Sequence, residues 1–214
     1  MTAHGRSALL IGSNGTLGRA VLSAFSSKAW TGFSILGPSG QCPTARGFDS
    51  VAVASALPPT FRPDVVVCTA GAFAPSSTLD DAPLMRTMLA ANLEPCLLAA
   101  QLAQSRNAKA LVLVGSRAVH ASGALPLGLL HYGLSKRAVH ELSESLSVHA
   151  AFRTLLVLPT MIDTPANRRA MPNAENAKNW TAPAVIASDI EAWASHAGNH
   201  EGDFLNSKLE LKYY

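Results

Sequence analysis

Ala8-Leu-Leu-Ile11-Gly12-Ser13-Asn14-Gly15-Thr16-Leu17-Gly18 is the stretch that decides how the chain folds. Four apolar residues run straight into three glycines at three-residue intervals, and helical spacing then extends from Leu17 to Lys28. A short continuous apolar run of this kind fits a strand buried on both faces. The glycines let the chain turn tightly out of that strand and bring backbone N–H groups at a helix N-terminus close to an anion. Strand, glycines and helix in this order suit the pyrophosphate of a dinucleotide, cradled by Gly12, Ser13, Asn14, Gly15, Thr16, Leu17 and Gly18. The same residues also read as a plain strand-to-helix turn, because glycine marks ordinary turns as well.

Outward from that stretch, further apolar runs lie at Phe33 to Leu36, Val65 to Cys68, Leu111 to Val114 and Leu155 to Leu158. Between them, Leu84 to Ser105 and Lys136 to Ala150 carry helical spacing. Strands buried on both faces and alternating with helices predict an α/β fold: a Rossmann-like, doubly wound parallel sheet of about seven strands flanked by helices. Thr181 reads as the N-cap of a helix with Pro183 in its first turn, running to about Ala197, and a last strand is expected over Phe204 to Leu211. Pro95 predicts a kink in the long central helix just after Asn92. Proline and glycine mark loops at 37–40, 58–59, 123–128 and 159–172.

The chain has 214 residues, 48% of them hydrophobic and 14% charged, which is enough apolar surface for one domain over 1–214 and argues against extended disorder. Seventeen basic residues stand against 14 acidic, a net charge of +3, and they are scattered rather than clustered, so no nucleic acid partner is expected. Cys42, Cys68 and Cys96 lack CxxC spacing and lie in or beside apolar segments, as reduced thiols in a cytoplasmic protein would. The first apolar run is too short for a signal sequence or a membrane span, so neither export nor a membrane partner is expected. His4, His120, His140, His149, His196 and His200 form no ligand pattern with cysteines or acids, and no metal site is expected.

The sharpest chemical signal is His131-Tyr132-Gly-Leu-Ser-Lys136. Lys136 follows Tyr132 by four residues, so both occupy one helix face a turn apart, where an ammonium favours the tyrosinate. His131 reads as a solvated loop histidine or, less simply, as a substrate contact, and Arg168 and Arg169 read as surface charges or as the rim of a pocket. After the second apolar run the chain continues Gly37-Pro-Ser39, with no carboxylate to repel a 2′-phosphate; with Arg19 and Arg46 within reach, NADPH is allowed beside NADH.

Gly12-x-x-Gly15-x-x-Gly18, the run Cys68-Thr-Ala-Gly71, Asn92, Ser116 and Tyr132-x-x-x-Lys136 together resemble the short-chain dehydrogenase/reductase family over nearly the whole chain. Within it, Tyr132-Gly-Leu-Ser-Lys-Arg-Ala-Val-His-Glu-Leu142, Leu158-Pro-Thr-Met-Ile-Asp-Thr-Pro-Ala-Asn-Arg-Arg-Ala-Met-Pro172 and Trp180-Thr-Ala-Pro183 are similar to the quinonoid dihydropteridine reductases. The resemblance implies an NAD(P)H-dependent reduction of quinonoid dihydropterin to tetrahydropterin. Tyr132 would deliver a proton, Lys136 would hold the nicotinamide ribose, and Asn92 would support a water-linked proton path. Ser116 stands where the family carries its substrate-binding serine, although it lies further from Tyr132 than usual and dihydropteridine reductases tend to lack it.

The resemblance also gives Asp49 a contact to the adenine amino group, beside its reading as a helix N-cap. Ala70 and Gly71 would lie against the adenine ribose, and Pro159, Ile162 and Thr164 would line the cofactor; as residues alone, these are ordinary turn formers. Phe73 falls where those reductases carry a tryptophan beside the pterin, which implies stacking on the substrate; an ordinary exposed or core phenylalanine is the alternative. A homodimer through Leu84 to Ser105 and Tyr132 to Ala150 is implied as well. Two other functions fit the same residues: a short-chain reductase acting on a carbonyl compound, and a regulator that senses a dinucleotide without chemistry.

Overall fold

The way the strands pack explains why their apolar runs do not alternate with polar residues. In β1 (Ala8–Ile11), Leu9 and Ile11 enter one apolar layer while Ala8 and Leu10 enter the other. The same division recurs in β3 (Val65–Cys68), β4 (Ala110–Val114) and β5 (Arg153–Leu158). With β2 (Ser34–Leu36) and β6 (Lys208–Lys212) they form a parallel sheet in the order β2-β1-β3-β4-β5-β6. The computed structural model describes residues 6–28, 30, 34–36, 57–120, 123–196 and 208–212.

Helices cover both faces. Val21 and Phe25 of α1 (Thr16–Ser26) fill one layer, and α2 (Ala82–Asn92) leads on the opposite side into α3 (Glu94–Ser105), whose Leu98, Ala99 and Leu102 fill the other. Val139 of α4 (Leu130–His149) joins the α3 side, α5 (Pro165–Ala170) follows β5, and α6 (Pro183–His196) packs Ile186 and Ile190 on the α1 side. The chain leaves β1 for β2 on one flank and later returns to β3 on the other. The strand order therefore reverses between β1 and β3, and a crevice opens beyond their carboxyl ends. Ile11 pairs with Cys68, Cys68 with Leu113 and Leu113 with Leu156, so those ends lie level.

Several expectations hold and several are corrected. Pro95 lacks the N–H that would bond one turn back, and the central helix breaks at Leu93 (φ −92°, ψ −47°) into α2 and α3. The loop expected over 159–172 contains α5. Thr164 Oγ1 accepts from the Asn167 N–H at 3.1 Å and Pro165 opens the helix, an N-cap followed by a first-turn proline. Thr181 bonds instead to Met161 and Asp163 through its backbone, and α6 begins two residues later at Pro183. Asp49, Arg46 and Cys42 lie outside the described residues.

Leu156 is fully enclosed between β4, β6 and the α3–α4 layer. Leu156→Ala is expected to lower unfolding free energy by about 2–5 kcal/mol in urea titrations, the cost of lost transfer energy plus a cavity.

Candidate active site

Two glycines of the first turn are dictated by space. Gly12 has φ +87° and sits where a Cβ would fall 2.5 Å from the Ala70 amide nitrogen; a Cβ on Gly18 would strike the Gly12 carbonyl. Gly15 differs, because its φ of −69° suits any residue and a Cβ there would meet little besides the Gly12 oxygen at 3.5 Å. Gly15 is also the N-cap of α1, with no side chain capping the helix and no acid in its first turn, so that end presents its N–H groups and positive dipole to the crevice. Ser13 is buried with its hydroxyl unpartnered among the described residues. Asn14 is exposed, and its carbonyl accepts from the Arg19 guanidinium.

The strand-end loops are stitched together around this turn. Thr69 Oγ1 lies 3.2 Å from the carbonyls of both Ile11 and Gly12, tying the end of β3 to β1. Asn92, fully buried at the end of α2, grips the backbone of Ala72 at both groups: its Oδ1 accepts from the amide at 3.1 Å and its Nδ2 donates to the carbonyl at 3.0 Å. The same Nδ2 donates to Ser135 Oγ at 3.1 Å, and that hydroxyl donates to the Tyr132 carbonyl at 2.7 Å. One asparagine thus joins the loop after β3 to the first turns of α4.

On α4, Lys136 is buried, and its Nζ donates to the Val114 carbonyl at the end of β4 at 2.9 Å. Gly71 passes so close that a Cβ would stand 2.9 Å from Asn92 Oδ1 and 3.2 Å from Lys136 Nζ. Phe73 is 57% exposed and meets the Tyr132 ring edge-on, centroids 5.2 Å apart at 84°. A cavity of about 430 Å³ lies between these groups. Gly15, Thr16 and Leu17 line it from the turn, Ala70, Gly71 and Phe73 from the β3 loop, and Asn92, Ser116, Tyr132 and Lys136 from the centre. Pro159, Ile162 and Thr164 close the far side, together with Met161, Asn167 and Met171, three residues the sequence reading did not single out.

Other expectations meet a different structure. His131 is not solvated: it is buried on α4, where its amide and Nδ1 lie 3.1 and 2.8 Å from Ser76 Oγ. Arg168 stays off the cavity wall but is more than a surface charge. It forms a paired contact with Asp163 at 2.7 and 2.8 Å and lies 4.9 Å over the Trp180 ring. The Arg168 guanidinium holds the Asp163 carboxyl below the ordinary carboxylate range, so this clasp on α5 is complete at neutral pH and loosens only as acid protonates Asp163. Cys68 and Cys96 are free and buried with their sulfurs 3.9 Å apart, and the contact with Cys96 together with burial pushes the Cys68 thiol well above its usual value. Among the described residues no cluster of three or more His, Cys, Asp or Glu could hold a metal, and no helix is long and apolar enough to cross a membrane.

The chain has the fold seen in short-chain dehydrogenases/reductases. It superposes on the short-chain dehydrogenase/reductase from Serratia marcescens with a TM-score of 0.75 at 20% identity, covering 100% of this chain and 98% of that one. It also superposes on ElxO with NADP bound, with a TM-score of 0.70 at 17% identity, covering 98% and 97%. In sequence it is similar to a dihydropteridine reductase from Dictyostelium discoideum, 28% identical over 95% of this chain and 94% of the relative. No family model matches the chain.

Asn92→Leu keeps the bulk but strips partners from the Ala72 backbone and Ser135. It is expected to destabilise the protein by about 1–3 kcal/mol for each buried group left unpaired, read from urea denaturation.

Proposed function

We propose that this protein is an NAD(P)H-dependent reductase that returns quinonoid dihydropterin to tetrahydropterin. The observation that carries the reading is the meeting, in one cavity, of the uncapped start of α1, the buried Lys136 and the edge-paired rings of Phe73 and Tyr132. A dinucleotide fits the residues present: Gly12 and Gly18 shape the turn, Gly15 leaves room over the helix N-terminus, and Gly71 lets Asn92 and Lys136 pack against the β3 loop that lines the cavity. The similarity to the Dictyostelium reductase supports the pterin substrate, and the ElxO complex supports a nicotinamide cofactor.

The bound cofactor supplies the hydride. Thr16 and Leu17 at the start of α1 would hold its phosphates, in a turn shaped by Gly12, Ser13, Asn14 and Gly18. Ala70, Gly71, Pro159, Ile162 and Thr164 enclose it. Lys136, fixed by the Val114 carbonyl, holds its ammonium beside Gly71 to grip ribose hydroxyls. Tyr132 donates the phenolic proton to the substrate ring, and Phe73 offers a face to a planar heterocycle. Asn92 keeps the β3 loop and α4 at a fixed separation. Arg19, whose guanidinium bonds the Asn14 carbonyl beside the glycine turn, allows NADPH beside NADH. Ser116, buried at the cavity, favours a second reading in which a carbonyl compound is the substrate and the serine hydroxyl donates to its oxygen.

The same reading makes the protein a cytoplasmic homodimer formed along α3 and α4, where Leu97, Leu134 and Val148 are exposed. Light scattering is expected to give twice the chain mass; the mass of one chain would refute the dimer.

Oxidation of NADH and of NADPH, followed separately with freshly generated quinonoid dihydropterin and with simple ketones, tests the activity. Tyr132→Phe is expected to lower kcat by about 10²–10⁴-fold while cofactor affinity stays near that of the parent. Gly15→Ala is expected to keep the parent's urea midpoint and to weaken cofactor binding; unchanged affinity would place the phosphates elsewhere.

A further inference from the structure

We propose that His140 is a positioning residue for the cavity wall, and that it acts only as the neutral imidazole; this rests on the reductase reading above. Tyr132, Lys136 and His140 occupy successive turns on one face of α4. The first borders the cavity and the second bonds the Val114 carbonyl. Nε2 of the third accepts the N–H of Ser116 at 3.1 Å. Gly115 lies between these two anchor points, and its missing side chain makes room for the ring: a Cβ there would collide with Nε2 and stand 2.9 Å from Leu158 Cδ2.

The segment from Val114 to Arg117 is held from two sides. On the β5 side, the Gly115 N–H donates to the Val157 carbonyl at 2.9 Å and the Arg117 N–H donates to the Pro159 carbonyl at 3.0 Å. On the α4 side, Lys136 and His140 hold Val114 and Ser116. The Ser116 amide is therefore fixed by a side chain that can titrate. A ring that accepts at Nε2 carries its single proton on Nδ1; a second proton would set N–H against N–H and push Ser116 from the cavity.

Among the described residues, the groups around the ring come from three elements. His120 faces it from the end of the turn after β4, centroids 5.7 Å apart, and Arg117 lies on the same turn. Lys136 and Glu144 stand one turn before and after it on α4, while Arg137 on that helix is engaged with the Val119 and Gly123 carbonyls. β5 presents the apolar Leu158.

The test compares wild type, His140→Gln and His140→Leu in kcat, KM and cofactor Kd from about pH 5 to 8, with quinonoid dihydropterin and NADPH. The wild type is expected to lose kcat on the acid side. His140→Gln, whose amide oxygen accepts the same N–H without titrating, should keep neutral-pH kcat within about threefold and lose the acid limb. His140→Leu should lower kcat by about tenfold or more at neutral pH with cofactor Kd nearly constant. Wild-type kcat in His140→Leu, or an intact acid limb in His140→Gln, overturns the proposal. A second measurement needs no substrate: ¹⁵N spectra of the wild type should show the Nδ1–H tautomer of His140, and the Ser116 amide shifting as that ring titrates. An Nε2–H tautomer overturns the proposal, and a protein that shows the expected spectra but reduces no pterin separates a failed reductase reading from a failed role for His140.

Discussion

A buried ammonium must find oxygen, because an unpaired charge inside a protein costs several kcal/mol. Lys136 finds it at the Val114 carbonyl, the last peptide group of β4. That bond joins the middle of α4 to the carboxyl end of the sheet, and side chains one turn before and after it lie on the same helix face. Tyr132, one turn earlier, then faces the crevice, and His140, one turn later, reaches the Ser116 amide. On the opposite side Asn92 sets the distance from the β3 loop to the same helix. The site is therefore framed by bonds between side chains and strand-end backbone, and the sheet's level carboxyl ends supply a common plane for all of them.

Local features of the sequence were legible to the extent that their physics is local. The β1 run, the glycine turn and the Tyr132–Lys136 spacing depend on neighbours a few residues away, and each appears where its pattern places it. Pro95 is similar: a missing N–H acts on its own helix, and the break at Leu93 follows. The short helix α5 was legible too, in Thr164 followed by Pro165, but the prolines across 159–172 argued for a loop and masked it. Thr181 offered a cap of the same type and was instead drawn into a bridge with Ile162.

What could not be read depends on partners distant in sequence. His131 is buried because Ser76, 55 positions upstream, comes to meet it, and no spacing rule near the histidine contains that information. The edge contact of Phe73 with Tyr132 joins the β3 loop to α4, beside the Asn92 clasp on Ala72. Arg168 likewise becomes a clasp through Asp163 and Trp180. In each case a residue that looks ordinary on its own is placed by a contact across the fold.

The cavity has two unlike sides. Strand-end carbonyls, α4 and the Asn92 clasp make one of them stiff. Met161 and Met171 contribute to the other, and an unbranched thioether chain has many rotamers of nearly equal energy. A guest pressed against the stiff side is held to one orientation, while bulk added on the methionine side is absorbed by rotamer changes without moving the backbone. In the pterin reduction proposed above, such a pocket would fix the ring more tightly than its substituents.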